Sequence, residues 1–394
     1  MTDLPAALVP APNADDVGDL HRLAAGMIDR GVRRVHTLAW RDLDDPDAGG
    51  SEVHADEFMR RWANAGLDLT HRTSFAIGEP REAQRNGYRV VRRGSRYTVF
   101  PRAIAAEVTR RAGGYDALVE IWNGVPWFSP VWCHKPRITF LHHVHGPMWG
   151  QILPGPLAGF GRALEATIAP PFYRRTQMVT PSDATRDELL ELGFHAHRVS
   201  AVPNGVSTQF RPGGERSPTP LVVAVGRLAP VKRFDELIRA AVVARETVPD
   251  LRLEIVGSGP MADELVALSR ALGASDWITF AGQIAHLELV DLYQRAWVVA
   301  SASLAEGWGL TLTEAAACGT PAVATDIRGH QSSVVDGRTG VLAPLGELGD
   351  ALARVLGDDH LRRELGDAAL ARARTLTWDA AALGILRALD AQIR

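Results

Sequence analysis

Cysteine is scarce in this sequence, and long apolar runs are missing. Only Cys133 and Cys318 occur among the 394 residues, which is too few for a disulfide scaffold and indicates a reducing compartment. No apolar run approaches the length that crosses a membrane, and residues 1–25 lack the basic start and apolar centre of a signal peptide. We therefore expect a cytoplasmic protein without a membrane span.

Lysine is almost absent as well. Lys135 and Lys232 are the two lysines among 43 basic residues, which we attribute to genomic bias and which makes each lysine informative. The net charge is -3, and the acids and bases nearly balance in both halves, with 25 basic against 23 acidic residues in 1–214 and 18 against 23 in the remainder. This balance argues against nucleic acid as a partner.

The length and the alternation of strand and helix patterns predict two α/β domains with parallel sheets. The predicted strands are 33–40, 67–72, 117–122, 137–141, 221–225, 251–256, 277–281 and 297–300, and the predicted helices are 16–30, 51–65, 103–111, 186–192, 234–247, 261–272, 287–295, 312–318 and 378–393. Turn-forming residues at 203–205 and 211–220 indicate the linker. We divide the chain into a polar lead-in (1–32), a first domain (33–210), a second domain (211–376) and a final helix (377–394) that crosses back to the first domain. The expected ligand site is the cleft between the two domains.

Two carboxylates, Glu306 and Glu314, are separated by seven residues and lie on either side of a glycine-containing stretch. The pattern places Glu306 on the loop and Glu314 in the first turn of the following helix. Because a helix start attracts anions and carboxylates accept hydrogen bonds from hydroxyls, this segment suits a ligand with a phosphate and a polyol, such as a nucleotide sugar. The alternative is that Glu314 complements the helix dipole and Glu306 is solvated.

A pair of cations, Arg227 and Lys232, follows the strand 221–225 and the turn at Gly226. Fixed positive charge at the mouth of the second domain suits a diphosphate leaving group. The alternative is a solvated basic loop.

Glycine-rich turns follow two other predicted strands. Gly257 and Gly259 match a weak dinucleotide fingerprint that lacks its acidic partner, and they indicate either room for a nucleotide base or a tight turn. Gly49 and Gly50 precede Ser51, a candidate helix cap, in a loop that suits a phosphate across the cleft or serves as a plain capped turn. The preceding acidic residues 42–47 are expected to face solvent rather than to bind a metal.

Histidines cluster after the strand 137–141, at His142, His143 and His145. No cysteine or acid lies nearby in sequence to complete a zinc site, so we expect either hydrogen bonds to a sugar or a structural role. The arginine-rich stretch 81–96 suits an anionic acceptor or peripheral contact with a membrane surface, but a solvated loop is the favoured interpretation.

Taken together, these motifs resemble glycosyltransferase family 4, the retaining group 1 enzymes with the GT-B fold of two Rossmann-like domains. The resemblance runs from about Val35 to Trp378, and its specific parts are Gly49 and Gly50, residues 203–206, Gly226 and Arg227 with Lys232, Ser303 with residues 306–314, and residues 319–324. One departure is the segment 329–334, which lacks the Pro-Glu pair of many relatives.

The resemblance implies a role for each candidate residue. Arg227 and Lys232 would bind the donor diphosphate, and Glu306 the hydroxyls of the donor sugar. The remaining donor-binding residues would be Gly50, the base-contacting Ile284, the backbone amides of Gly309, Leu310 and Thr311, and the ribose-binding Glu314. His142 would lie against the donor sugar, with His143 as an alternative alignment. No metal and no cofactor are implied.

The sequence thus predicts a transferase that moves a sugar from a UDP- or GDP-sugar to a small-molecule, glycan or lipid-linked acceptor. Three alternatives remain open. They are a sugar-nucleotide epimerase, a phosphorylase whose pyridoxal phosphate would need Lys135 or Lys232, and a non-catalytic sugar-nucleotide-binding protein.

Overall fold

The computed structural model describes residues 15–111, 113–153 and 155–393. Within these ranges the chain forms two α/β domains, each built on its own largely parallel sheet, as the sequence pattern predicts. The first fourteen residues of the predicted lead-in lie outside the described ranges. None of the helices in those ranges combines the length and apolar character needed to cross a bilayer.

Eight strands form the sheet of the first domain. They are β1 (Arg34–Leu38), β2 (Asp68–Thr73), β3 (Glu82–Arg85), β4 (Tyr88–Arg92), β5 (Ala117–Trp122), β6 (Arg137–Leu141), β7 (Gln177–Thr180) and β8 (Val199–Ala201). Their spatial order is β3-β4-β2-β1-β5-β6-β7-β8, and only the β3–β4 pair is antiparallel. Because the other pairs are parallel, the carboxyl ends of β1, β5 and β6 meet at one edge of the sheet.

The helices of the first domain cover both faces of this sheet. They are α1 (Asp16–Asp29), α2 (Gly50–Asn64), α3 (Val99–Val108), α4 (Ser129–Trp132), α5 (Trp149–Ile152), α6 (Gly155–Ala163), α7 (Pro170–Tyr173) and α8 (Asp183–Glu191), with a π-helical turn at Leu164–Ile168. Local hydrogen bonds fix two of their starts. The Glu52 carboxylate accepts from the Gly49 backbone N–H at 2.8 Å, and the Ser182 hydroxyl accepts from the Thr185 N–H at 3.1 Å.

The second domain has six parallel strands in the order β11-β10-β9-β12-β13-β14. They are β9 (Leu221–Val225), β10 (Arg252–Val256), β11 (Ile278–Gly282), β12 (Val298–Ser301), β13 (Ala322–Thr325) and β14 (Gly340–Ala343). The helices that follow β9 along the chain are α9 (Phe234–Thr247), α10 (Ala262–Ala271), α11 (His286–Arg295), α12 (Leu310–Ala317), α13 (Arg328–Ser333), α14 (Leu348–Gly357), α15 (Asp359–Ala373) and α16 (Trp378–Asp390). A 3-10 turn at Pro230–Lys232 follows β9.

The last helix belongs by its packing to the first domain. Helix α16 packs against α1 and α2, and its buried residues Ala382, Leu386 and Leu389 join the core of the first sheet. The Trp62 indole N–H donates to the Ala382 carbonyl at 2.9 Å. The chain therefore passes between the domains twice, and the Val206 N–H donates to the Leu376 carbonyl at 3.0 Å where the two passages meet.

The boundary that we draw at residue 33 does not separate α1 from the first domain. Leu20, Ala24 and Met27 of this helix are buried in the same core as α16. The amphipathic pattern of residues 16–30 reflects this packing, so the described part of the predicted lead-in is an integral layer of the domain.

Two expectations about charged segments are wrong. The arginine-rich stretch 81–96 contains the β3–β4 hairpin rather than a solvated loop, and the Arg92 side chain is fully buried. Its guanidinium binds Asp42 at 2.7 Å and Asp44 at 2.5 Å, so part of the acidic segment 42–47 faces the protein and not solvent. A buried arginine needs such partners, and here they come from a distant segment.

Candidate active site

The second-domain wall of the cleft carries a contact between Lys232 and Glu306. The Lys232 ammonium donates to Glu306 Oε1, and the Ser303 hydroxyl donates to the same oxygen at 2.8 Å. Burial acts to raise the pKa of Glu306, but the positive charge of Lys232 and the other contacts outweigh it and lower that pKa. The Leu304 N–H donates to the Val231 carbonyl at 2.8 Å, which holds the two loops together. Glu306 is thus a fixed carboxylate, ionised at neutral pH.

Helix α12 begins directly after this carboxylate. Gly309 has a φ of 89°, a left-handed conformation that glycine adopts without strain, and it precedes the first helical residue, Leu310. The backbone N–H groups of Leu310 and Thr311 therefore lie in the first turn, where no intrahelical acceptor exists for them. The first turn contains no acidic side chain.

Glu314 lies in the second turn of α12, not in the first turn as the sequence pattern predicts. The helix begins at Leu310, two residues before the predicted start, so Glu314 lies further from the first residue of the helix than predicted. The Tyr293 hydroxyl donates to Glu314 at 3.5 Å. Burial raises the pKa of Glu314 to about 7, against a lowering contribution from Tyr293. This carboxyl group therefore changes charge near neutral pH.

Arg227 reaches across the cleft to the first domain. Its guanidinium lies 2.9 Å from a carboxylate oxygen of Asp47, and about half of its side chain is exposed. Asp47 also binds Arg96 at 3.0 Å. The structure thus places Arg227 at the mouth of the second domain, where its positive charge is paired with Asp47 in the acidic loop of the first domain.

The glycine loops bring backbone segments together. A Cβ on Gly50 would lie 2.9 Å from the Leu310 side chain, so this loop abuts the start of α12 across the cleft. A Cβ on Gly257 would lie 1.9 Å from the Gly226 carbonyl, and one on Gly259 would lie 2.4 Å from the Leu228 carbonyl. Gly257 and Gly259 therefore allow the loop that carries Arg227 to pack on the end of β10. This close packing explains the two glycines in a way that differs from both predicted roles, room for a nucleotide base and a tight turn.

The histidines form the first-domain wall. His142 is 7% exposed, and its ring lies 5.0 Å from that of His54 and 4.7 Å from that of Phe140. Burial and the neighbouring His54 and His143 hold the pKa of His142 well below its ordinary value. Among the described residues, neither ring nitrogen of His142 has a hydrogen-bond partner.

His143 faces the charged pair of the second domain. Burial, with His145, lowers the pKa of His143 to about 3, and the charges of Glu306 and Lys232 also act on this ring. A Cβ on Gly307 would lie 2.4 Å from the His142 carbonyl and 3.5 Å from the His143 Cβ, which shows how closely the two walls approach. The charges of Glu306 and Lys232 thus act on the alternative histidine of the motif, whereas the His142 ring packs against the core of its own domain.

Ile284 is half-buried at the edge of the second-domain core, after β11. No set of three or more histidine, cysteine or acidic side chains with the geometry of a metal site occurs in the described ranges.

Both halves of this chain match known protein families. Residues 48–210 match the family model described as Glycosyltransferase Family 4, and residues 206–372 match the model described as Glycosyl transferases group 1. The D-inositol 3-phosphate glycosyltransferase of Kribbella flavida is 30% identical over 92% of this chain and 96% of its own length. This chain belongs to the family 4, group 1 glycosyltransferases. The corresponding protein of Acidothermus cellulolyticus is 31% identical over 89% of this chain and 88% of its own length.

Solved structures share the two-domain fold of this glycosyltransferase. The sucrose-phosphate synthase of Thermosynechococcus elongatus superposes with a TM-score of 0.76 at 21% identity, over 90% of this chain and 97% of that one. Anabaena HepE in complex with UDP and glucose gives a TM-score of 0.71 at 17% identity, over 91% and 100% of the two chains. The fold is therefore GT-B, as the resemblance implies.

One residue beside the Glu306 carboxylate is missing from the sequence prediction. His330 of the glycosyltransferase is fully buried, with Nδ1 2.7 Å from the Thr325 carbonyl oxygen and Nε2 3.1 Å from the Ser301 hydroxyl. Ser301 lies 3.2 Å from Ser303, which donates to Glu306. His330 therefore supports the carboxylate through two serines, and it lies in the segment 329–334, which contains no Pro-Glu pair.

Proposed function

We propose that this glycosyltransferase moves a sugar from a nucleoside-diphosphate sugar, UDP- or GDP-linked, to an acceptor hydroxyl with retention of the anomeric configuration and without a metal ion. The observation that carries this proposal is the contact of Lys232 with Glu306 immediately before α12, with Arg227 at the same cleft. Cations, a carboxylate and a helix start together suit a sugar on one side and a diphosphate on the other.

The departing diphosphate is the group that the enzyme must stabilise. Lys232 supplies a point charge, Arg227 a planar fork of donors, and the N–H groups of Leu310 and Thr311 supply the partial positive charge of the helix start. Preorganised donors at a developing negative charge lower the barrier more than they would in water, because the site costs no reorganisation. These groups take the part that a metal ion takes in other sugar-nucleotide enzymes.

Glu306 orients the sugar rather than attacking it. Its lowered pKa keeps it ionised, and its Oε1 already accepts from Lys232 and Ser303, which leaves Oε2 as the natural acceptor for a sugar hydroxyl. The acceptor hydroxyl then attacks from the face that the diphosphate leaves, and the leaving phosphate oxygen takes its proton. The bond to the diphosphate breaks as the new glycosidic bond forms, with an oxocarbenium-like transition state between them.

The nucleoside lies further along the second domain in this proposal. Glu314 accepts from the ribose hydroxyls when it is ionised, and Ile284 supplies an apolar surface for the base. Gly50 allows the loop of the first domain to approach the phosphates. On the other wall, His143 lies beside the Glu306–Lys232 pair and contacts the donor sugar, while the His142 ring shapes that wall from behind.

The acceptor is proposed from the relatives. Two relatives matched over nearly their whole length are named D-inositol 3-phosphate glycosyltransferases, so a phosphorylated cyclic polyol is the first acceptor to test. The structural neighbour HepE is described with UDP and glucose, which makes UDP-sugars the first donors to test.

The decisive experiment combines binding, turnover and stereochemistry. A thermal-shift series with UDP- and GDP-sugars identifies the donor, because a bound donor raises the melting temperature with concentration. Turnover with D-inositol 3-phosphate, with and without EDTA, and NMR of the product anomer then follow. We expect one donor to bind, EDTA to leave the rate unchanged, and the product to keep the donor's anomeric configuration. An inverted product or a rate abolished by EDTA would overturn the corresponding part of the proposal.

The same samples separate the other candidate functions. An epimerase would convert the donor in the absence of any acceptor. A phosphorylase would show the absorbance of a lysine aldimine, and Lys232 is here engaged with Glu306. A binding protein without activity would give the thermal shift but no product.

A further inference from the structure

A second concave surface lies at the amino-terminal edge of the first sheet, away from the cleft. It is a groove of about 580 Å³, formed where β1, β5, β6 and β7 begin and where α1 and α16 end. Its volume falls in the range of roughly 300–1,000 Å³ that is usual for small-ligand pockets. Arg137 begins β6 and His142 follows its last residue, so the length of this strand, about 16 Å, separates the groove from the cleft.

The groove is strongly basic. His134, Lys135, Arg137 and Arg175 line it, with Asp116 as the acidic residue of the lining. Asp116 is already engaged, since it accepts from the Arg34 guanidinium at 2.9 Å and from the Arg34 backbone N–H at 2.8 Å. In the described part of the chain, Lys135, Arg137 and Arg175 have no carboxylate within ion-pair distance. Their positive charges are therefore unbalanced in the groove.

Two buried polar groups of the lining also have no partner among the described residues. Thr176 is 3% exposed, and its hydroxyl makes no hydrogen bond. Arg137 donates from Nη1 to the Cys133 carbonyl at 2.9 Å, but its buried Nε makes no hydrogen bond. Buried polar groups normally have partners, so Thr176 and Arg137 border the groove with hydrogen-bonding capacity that no described residue uses.

We propose that this groove binds the phosphate group of a soluble phosphorylated small molecule. A phosphate has enough acceptor oxygens for the Lys135 ammonium, the Arg175 guanidinium and the Thr176 hydroxyl together. The concave shape favours a small ligand over a lipid headgroup held in a flat membrane surface. The site is separate from the donor site and does not depend on the proposed function.

The two lysines of the chain allow each site to be observed separately. Reductive methylation with 13C-formaldehyde keeps the charge and labels Lys135 in the groove and Lys232 in the cleft, and Lys135→Arg identifies the groove signal by its loss. The methylated protein is first saturated with UDP. Inorganic phosphate is then titrated in at constant ionic strength, with chloride as the comparison.

We expect the Lys135 signal to shift saturably with phosphate and to stay in place with chloride. Arg175→Ala and Thr176→Val are expected to weaken this binding severalfold, and Arg174→Ala, an exposed neighbour outside the lining, to leave it unchanged. A Lys135 shift that follows ionic strength alone, or that is equal in all three variants, would overturn the proposal.

A second arm tests the lipid source. Vesicles of phosphatidylcholine, with and without phosphatidic acid, replace inorganic phosphate. A Lys135 shift that appears only with phosphatidic acid vesicles would contradict a soluble ligand. If UDP leaves the Lys232 signal unchanged while phosphate shifts the Lys135 signal, the proposed donor site is wrong and the proposed phosphate site in the groove is supported.

Discussion

The two walls of the cleft bury their polar groups in opposite ways. The second-domain wall carries paired charges, with Lys232 on Glu306, whereas the first-domain wall carries buried histidines whose pKa values are lowered, among them His54, His142 and His143. Fixed charges suit a ligand that is itself charged throughout the reaction. Neutral histidines suit the sugar and the acceptor, whose hydroxyls need shape and hydrogen bonds. The contrast fits the proposed function, in which the second domain binds the donor phosphates.

The largest effect is expected from the charged wall. Lys232→Ala removes a preorganised cation from the leaving group, so kcat should fall by roughly 10²–10³-fold, the cost typical of losing one such donor. Arg239→Ala removes an exposed arginine on α9 and should leave kcat unchanged. Steady-state kinetics with the identified donor decide the matter, and near-normal turnover of the Lys232 variant would remove the basis of the proposed mechanism.

Acid should destabilise the first domain through its buried histidines, which include His54 on α2 and His71 on β2. Burial lowers the pKa of His54 to about 3 and that of His71 to about 4, whereas the unfolded chain binds these protons near 6.5. The unfolded state therefore binds more protons below pH 6.5, and stability falls as pH drops from 6.5 towards 4. At pH 5 each such histidine costs about 2 kcal/mol, which should lower the melting temperature by roughly 5–10 °C relative to pH 7.

A variant isolates this contribution. Neither ring nitrogen of His54 has a partner in the described structure, so His54→Leu should keep its stability at pH 7 and lose part of the acid sensitivity. His21→Leu, at an exposed position on α1, serves as the control. Calorimetric scans from pH 7 to pH 5 measure both, and an equal acid shift in the two variants would contradict the role of burial.

A smaller, pH-dependent effect is expected from Glu314. With its pKa raised to about 7, this carboxyl is about half ionised at neutral pH and mostly ionised at pH 8, and the ionised form is the better acceptor for ribose hydroxyls. Donor affinity should therefore rise by up to about 10-fold between pH 6 and pH 8. Glu314→Gln should abolish this dependence. Calorimetric titration with a nucleotide sugar tests it, because its diphosphate does not titrate in this range.

The smallest effect concerns the bridge between the walls. Asp47 pairs with Arg227 and so competes with the donor diphosphate for its guanidinium. Asp47→Asn should tighten donor binding by roughly 2- to 5-fold, the scale of an exposed ion pair. Asp29→Asn removes the same charge from an exposed position on α1 and should not change the affinity. Weaker donor binding in the Asp47 variant would indicate that the pair holds the domains in the binding arrangement instead.

The sequence predicts elements best where the apolar pattern is local. Strand β9 and helix α9 have the predicted bounds, because a continuous apolar run marks the strand and buried residues with the 3.6-residue period mark the helix, each within one segment. The strands β13 and β14 have four residues each and are missed, whereas β12 has the same length and is predicted, so length alone does not explain the difference. The β3–β4 hairpin is missed for a different reason. The burial of Arg92 depends on its contacts with Asp42 and Asp44, which lie about fifty residues earlier in the sequence.

The same distinction holds for the candidate site. The Glu306 loop and the two cations stand in local motifs, so their residue types and spacing indicate the chemistry. The rings of His142 and His143 follow the end of a strand, and their orientation depends on the side of the sheet to which each one points. The role of His330 depends on serines that lie nearly thirty residues away in sequence. Only the folded arrangement provides these facts. The position of Glu314 in the second turn of α12 likewise depends on where Gly309 ends the loop.

The double passage of the chain between the domains also sets an order of assembly during synthesis. Residues 33–201 leave the ribosome first, yet their core lacks Ala382, Leu386 and Leu389 until the last helix has been made. The second domain, complete by Leu376, can close its own cores before that moment. The domain made first is thus finished last, and a nascent chain that stops before Trp378 leaves an apolar face of the first sheet open to aggregation.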